Sequence, residues 1–140
     1  MNRLVKVLIL VVLPVVLVGA GGALAAQSQA TSGTSVPIKL TEMKITPSVV
    51  RVKAGKVSFN VKNAGAVVHE LVVLRTKTPA AKLAVSNGRA SEAGNIGETG
   101  DIASGKSKTL TLKLSKGHYD LICNISGHYQ AGMRGTLIVS

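Results

Sequence analysis

Three side chains that bind soft metal ions lie close together near the end of the chain. Cys123, His128 and Met133 have the spacing C-x₄-H-x₄-M, and this segment lies between two strand-like segments, so it forms a loop with fixed ends. His69 lies far earlier, in an apolar segment, and would supply a fourth ligand from the body of the domain. Two histidines, one cysteine and a weak axial methionine form the trigonal site that selects copper for electron transfer.

Other chemistry for these residues fits less well. Zinc accepts two histidines and one cysteine, but structural zinc sites usually close with another Cys or His rather than a thioether. Haem attachment would require the pattern Cys-x-x-Cys-His, which the sequence lacks. A Cys–His nucleophilic pair would need a group that orients the histidine, and Asn124, adjacent to the cysteine, is uninformative on that point.

The beginning of the chain has the composition of a secretory signal. Arg3 and Lys6 precede the apolar residues 7–18, and small residues follow up to an Ala-x-Ala site at residues 23–25. The alternative is an uncleaved membrane anchor, since residues 7–26 are just long enough to span a bilayer, although Pro14 and the glycines disfavour a helix there. We therefore expect a signal peptide at residues 1–26 and a periplasmic or extracellular protein, with membrane association through this segment as the alternative.

Charge and cysteine content limit the partners and the state of the thiol. Without residues 1–26 the chain has 15 basic and 6 acidic residues, a formal charge of +9. Export disfavours nucleic acid as the partner, and the scattered lysines are typical of solvated strand faces. Cys123 is the single cysteine, so no internal disulfide can form, and an unprotected exported thiol would tend to oxidise. The thiol is therefore either buried and inert or chemically occupied.

The rest of the sequence predicts one all-β domain. Residues 27–35 are polar and without periodicity, which indicates a flexible linker, and residues 36–140 form the domain. Strand-like segments include residues 57–62, 67–74, 107–114, 118–122 and 135–139. The excursion over residues 75–105 is rich in Gly and Asn, with a short helix expected at residues 80–86. About seven to eight short strands with intervening turns predict a Greek-key β-sandwich.

At this point the sequence resembles the cupredoxins, the type 1 blue copper proteins related to plastocyanin, azurin and rusticyanin. Three stretches carry the resemblance: residues 46–55, residues 59–70 with the pattern Asn-x-Gly-x-x-x-His, and residues 117–135 with the ligand loop. The resemblance implies that His69 and His128 bind copper through ring nitrogens, Cys123 as a thiolate and Met133 through a long axial bond. The sequence departs from many relatives at Ser126, where they have proline, and at Glu70, where some have asparagine.

The function expected from the site is one-electron transfer by a monomer that transforms no substrate. The alternative is an exported copper-binding protein that stores copper or delivers it to an oxidase. An enzyme is disfavoured because four protein ligands leave no open coordination position. In this family the second histidine usually reaches the surface inside an apolar patch, for which Ile125, Tyr129 and Ala131 are the candidates. The positive charge predicts a redox partner that is acidic at its docking site.

Overall fold

The computed structural model describes residues 33–140, and this part of the chain is built from β-strands and connecting loops. The signal or anchor predicted for residues 1–26 lies outside the described residues. The strands are β1 (Thr34–Thr41), β2 (Lys44–Thr46), β3 (Val49–Val52), β4 (Gly55–Asn63), β5 (Val72–Arg75), β6 (Val85–Ser86), β7 (Arg89–Ala90), β8 (Asn95–Glu98), β9 (Ser107–Leu114), β10 (Gly117–Ile122) and β11 (Arg134–Val139). Among residues 33–140, no helix is long and apolar enough to cross a membrane.

Two sheets form the sandwich that the sequence predicted. One has the order β2-β1-β4-β9 and the other the order β3-β11-β10-β5-β8, while β6 and β7 form a separate small hairpin. Most neighbours are antiparallel, but β1 runs parallel to β4 and β3 runs parallel to β11. These parallel pairs require the chain to cross between the sheets, since parallel neighbours cannot be joined by a tight turn.

The core between the sheets follows from the alternation of residue types. In β4 the apolar residues Val57, Phe59 and Val61 are fully buried, while Lys56, Asn60 and Lys62 are exposed. Leu114 of β9 is buried as well, and Leu110 and Leu112 pack against the same core. Successive strand residues point to opposite faces, so this alternation places one face of each strand in the core.

The structure differs from the sequence prediction in two segments. The prediction of a helix at residues 80–86 is wrong, because a turn at residues 80–81 leads into the β6–β7 hairpin. Asn87 and Gly88 have φ of 49° and 77°, and positive φ at both central residues is what a two-residue hairpin turn requires. The strand expected at residues 67–74 is shorter, because β5 begins at Val72 and His69 forms only an isolated bridge with Ile102.

Strand direction determines which loops meet at each end of the sandwich. β4 ends, and β5 begins, at the same end at which β10 passes into the loop of residues 123–133. We call this end, with the segments 64–71 and 123–133, the metal end. β1 begins at Thr34, within the segment predicted as a linker, and it runs parallel to β4 toward the metal end.

Candidate metal centre

Three predicted ligands converge at the metal end. His69, Cys123 and His128 each direct one donor atom to a common point, and these atoms lie within 4.8 Å of one another. The Cys123 Sγ is 4.0 Å from His69 Nδ1 and 3.3 Å from His128 Nδ1, and the two Nδ1 atoms are 3.3 Å apart. His69 and Cys123 are fully buried, whereas His128 is half-buried. One ion at this point could therefore contact all three donors.

Met133, the fourth predicted ligand, is held beside Cys123 by the backbone. Its carbonyl accepts a hydrogen bond from the Cys123 amide at 3.1 Å, and its own amide donates to the His128 carbonyl at 3.0 Å. The Met133 side chain is fully buried and belongs to the same core cluster as Cys123. The loop therefore closes on itself. It carries the thiol at its first residue, the imidazole in its middle and the thioether at its last residue.

The segment that carries His69 is fixed by Asn63, the first residue of the Asn-x-Gly-x-x-x-His pattern. The buried Asn63 amide donates to the carbonyls of Val67 and Ile102 at 2.7 and 2.8 Å. His69 and Ile102 also exchange two backbone hydrogen bonds, at 3.2 and 2.7 Å. A buried polar group is stable only when it is paired, so these bonds give the segment a defined path although it is not a regular strand.

Glu70 connects the two ligand-bearing segments. Its backbone N–H points at the Cys123 Sγ, 3.5 Å away. Its carboxylate accepts a hydrogen bond from the backbone N–H of Asn124 at 3.1 Å. A glutamate therefore ties the first ligand segment to the cysteine end of the ligand loop at the position where some relatives have asparagine.

The excursion over residues 75–105 supports the ligand loop, a role that sequence reasoning missed. The Asn124 side chain accepts from the Ala90 amide at 2.7 Å and donates to the Ala90 carbonyl at 3.0 Å. The Gly127 amide donates to the Gly88 carbonyl at 2.8 Å, and the Tyr129 hydroxyl accepts from the Leu83 amide at 3.0 Å. These bonds hold the loop in place around Ser126, the position at which many relatives have a proline. Asn124 beside Cys123 was the available signal, but its partner lies 34 residues away.

Burial shifts the pKa values of the two buried donor groups in opposite directions. Desolvation lowers the pKa of His69, and the nearby His128 lowers it further. Burial also raises the pKa of the Cys123 thiol, against the effect of the Glu70 N–H. Without a metal the site thus favours a neutral imidazole and a neutral thiol, and a bound cation would remove the thiol proton.

Donor chemistry and geometry agree in this site. A thiolate and a thioether are soft donors, imidazole is a borderline donor, and the three closest donor atoms surround one point. The two imidazole nitrogens lie 3.3 Å apart, and the Cys123 sulfur lies at the same distance from one of them. This spacing suits three donors that share one cation better than donors that contact one another directly. The residues present therefore fit a type 1 copper ion.

Comparison with known proteins agrees with this site. The family model described as a cupredoxin-like domain matches residues 14–139. This chain belongs to the cupredoxin-like family. A search of curated proteins finds no significant match.

Solved structures confirm the cupredoxin fold. Dithionite-reduced auracyanin from Roseiflexus castenholzii is 22% identical, with a TM-score of 0.64 over 77% of this chain and 98% of that one. Auracyanin A from Chloroflexus aurantiacus, described as a blue copper protein, is 24% identical, with a TM-score of 0.59 over 76% and 99%. Rusticyanin from Thiobacillus ferrooxidans is 19% identical, with a TM-score of 0.54 over 78% and 79%.

Proposed function

We propose that this cupredoxin is a one-electron carrier that holds a single copper ion through His69, Cys123, His128 and Met133. The observation that carries the proposal is the convergence of two imidazole nitrogens and one thiol sulfur within 4.8 Å at the metal end. The bound copper would supply the one-electron change between Cu(II) and Cu(I). The chain's own contribution is to keep the donors in nearly the same place in both states, because their backbone segments are tied by Asn63, Glu70 and Asn124.

The half-buried ligand His128 is the proposed route for the electron. His69 and Cys123 are fully enclosed, so the edge of the His128 ring is the part of the ligand set that is nearest to solvent. Ile125 is partly buried and Ala131 is exposed, which suits a contact surface. Tyr129 does not belong to that surface: it is 3% exposed, packs with Ile122 and Ala90, and lies under the Arg134 guanidinium.

Copper storage or delivery is the second candidate, and the methionine content argues against it. A delivery protein needs an exchangeable Cu(I) site, usually rich in Met or His. Beyond the N-terminal residue the sequence has only Met43 and Met133, and these are partly and fully buried. Catalysis is also disfavoured, because a buried site with four protein ligands leaves no open position for a substrate. Export to the periplasm or the cell exterior, with signal cleavage or anchoring through residues 1–26, remains part of this proposal.

Electron transfer to an acidic and to a basic redox protein tests both the proposed function and the expected charge of the partner. We expect the reduced protein to pass one electron per copper to a soluble redox protein and to retain the metal. Because the chain without residues 1–26 has a formal charge of +9, an acidic partner should react faster than a basic one. The second-order rate with the acidic partner should fall as salt screens the attraction. Stopped-flow absorption at low and high ionic strength measures both rates.

Two outcomes would change these conclusions. Release of copper to a chelator during each redox cycle would favour delivery over electron transfer. Equal rates with the acidic and the basic partner, unaffected by salt, would mean that the positive charge serves solubility and that docking depends on the apolar surface around His128. Sedimentation in ultracentrifugation as one species with the mass of a single chain would support the expected monomer.

Substitution of Met133 tests its proposed role as a weak axial ligand. We expect Met133→Gln to keep copper but to lower the reduction potential, because an amide oxygen is a harder donor that favours Cu(II). The expected shift is at least about 59 mV, which corresponds to a tenfold change in the ratio of Cu(II) to Cu(I) affinity for a one-electron couple. Voltammetry measures it, with Met43→Gln as the matched control. Complete loss of copper from Met133→Gln would show that Met133 holds the metal rather than tunes it.

A further inference from the structure

The ring nitrogen of His69 that faces away from the other ligands lies beside a carboxylate. His69 Nδ1 points at the donor cluster, and Nε2 is buried without a hydrogen-bond partner among the described residues. Glu42 Oε1 lies 3.5 Å from this Nε2. A neutral imidazole that binds a metal through Nδ1 carries its proton on Nε2, so the N–H would point toward the Glu42 carboxylate.

Backbone contacts hold this carboxylate in place. Glu42 follows β1, and its Oε1 accepts hydrogen bonds from the amides of Ala66 and Val67 at 2.6 and 3.0 Å. Gly65 permits this approach, since a Cβ at that position would lie 2.5 Å from the same oxygen. The side chain is 41% exposed, but its oxygen is fixed by the segment that leads into His69. Its distance to the His69 ring is therefore set by the fold.

We propose that Glu42 is a positioning residue that fixes the ring orientation and tautomer of His69 and places a negative charge beside the copper site. This inference rests on the proposed copper site. A carboxylate behind a ligating histidine holds the ring and makes it a stronger donor. Its charge also favours Cu(II) over Cu(I), so Glu42 lowers the reduction potential. Sequence alone gave no signal for this role, because Glu42 lies 27 positions before His69 and is an ordinary residue after a strand.

Two substitutions separate the polar contact of Glu42 with His69 Nε2 from the effect of its charge. Glu42→Gln keeps an oxygen acceptor and removes the charge, whereas Glu42→Ala removes both. Glu98→Gln is the matched control, because Glu98 is an exposed carboxylate that bonds the Asn95 side chain. Two measurements are made on the full protein: nitrogen NMR of His69 without copper, and copper(II) affinity and reduction potential with copper.

We expect the copper-free wild-type protein at pH 8 to hold His69 with the proton on Nε2. Glu42→Gln should preserve that tautomer and raise the potential. Glu42→Ala should mix the tautomers, raise the potential and weaken copper(II) binding by about 10–100-fold, the usual loss when the partner of a ligating histidine is removed. Where Cu(I) affinity is unchanged, a tenfold loss of Cu(II) affinity corresponds to about 59 mV.

The opposite result is equally specific. If both variants match Glu98→Gln in tautomer, copper affinity and potential, and only thermal stability falls, Glu42 is a loop contact and the inference is wrong. If Glu42→Ala does not fold, Glu42→Gln decides through its potential. The NMR measurement on copper-free protein does not depend on electron transfer, so it separates a failure of this inference from a failure of the proposed function.

Discussion

Cys123→Ser should abolish the visible colour of the copper(II) protein completely. The intense absorption of a type 1 site comes from charge transfer from thiolate to copper, and Cys123 is the single cysteine of the chain. A serine hydroxyl is a hard donor that stays protonated near neutral pH, so it supplies no comparable transition. Cys123 is fully buried and its Sγ lies 3.3 Å from His128 Nδ1, so the serine hydroxyl would occupy the same enclosed position beside that ligand. The visible spectrum of the copper-loaded variant measures the loss.

The control for this experiment lies in the same loop. Ser126→Ala changes an exposed side chain between Cys123 and His128, and it should leave the visible band intact. Chemical denaturation of both variants separates loss of the chromophore from loss of the fold. A Cys123→Ser protein that remains as intensely coloured as the wild type would contradict the proposed ligand set.

Asp120→Asn should remove a large part of the pH dependence of stability. Asp120 is fully buried in β10, and both carboxylate oxygens lack a hydrogen-bond partner among the described residues. Burial raises the pKa of Asp120 from 3.8 to about 6, against the effect of His118, whose Nδ1 is 3.8 Å away. An ionised carboxylate without hydrogen bonds is costly in the interior, so the folded state retains the proton to a higher pH than the unfolded state.

The sign of the effect follows from proton linkage. Below pH 3.8 the carboxyl is protonated in both states and has no influence. Between pH 3.8 and about 6 the unfolded state loses its proton first, so the free energy of unfolding decreases as pH rises. Above pH 6 the full penalty remains, on the order of 3 kcal/mol for a shift of about two pKa units. Urea denaturation of the copper-free protein from pH 4 to pH 8 measures it.

A control substitution at an exposed aspartate separates the effect of Asp120 on stability from that of the other titrating groups. Between pH 4 and pH 8 the wild type should lose about 2 kcal/mol of unfolding free energy relative to Asp120→Asn, because part of the penalty is already present at pH 4. Asp101→Asn changes an exposed carboxylate and should leave the wild-type slope nearly unchanged. If the wild-type and Asp120→Asn curves stay parallel across this range, Asp120 is solvated or paired in a way that this structure does not contain.

The strands whose residue types alternate could be predicted from the sequence. Val57, Phe59 and Val61 are buried, whereas Lys56, Asn60 and Lys62 are exposed, because a strand with one face in the core requires that order. Residues 80–86 do not form the helix predicted there: Ala, Lys and Leu favour helix locally, but Asn87 and Gly88 close a hairpin that takes Val85 and Ser86 into a strand. His118 is half-buried, with its Nδ1 2.9 Å from the Thr76 carbonyl, a contact that no local sequence pattern predicts.

The sequence by itself determined the set of donor residues, since a thiol, an imidazole and a thioether within one short loop have few other uses together. Only the tertiary structure decided how those donors are held. Glu42, Asn63, Glu70, Asn124 and the hairpin at Gly88 come from five separate parts of the chain, and each acts through a hydrogen bond or close contact at the metal end. Such contacts depend on sheet order and loop path, which no local pattern of residue types encodes.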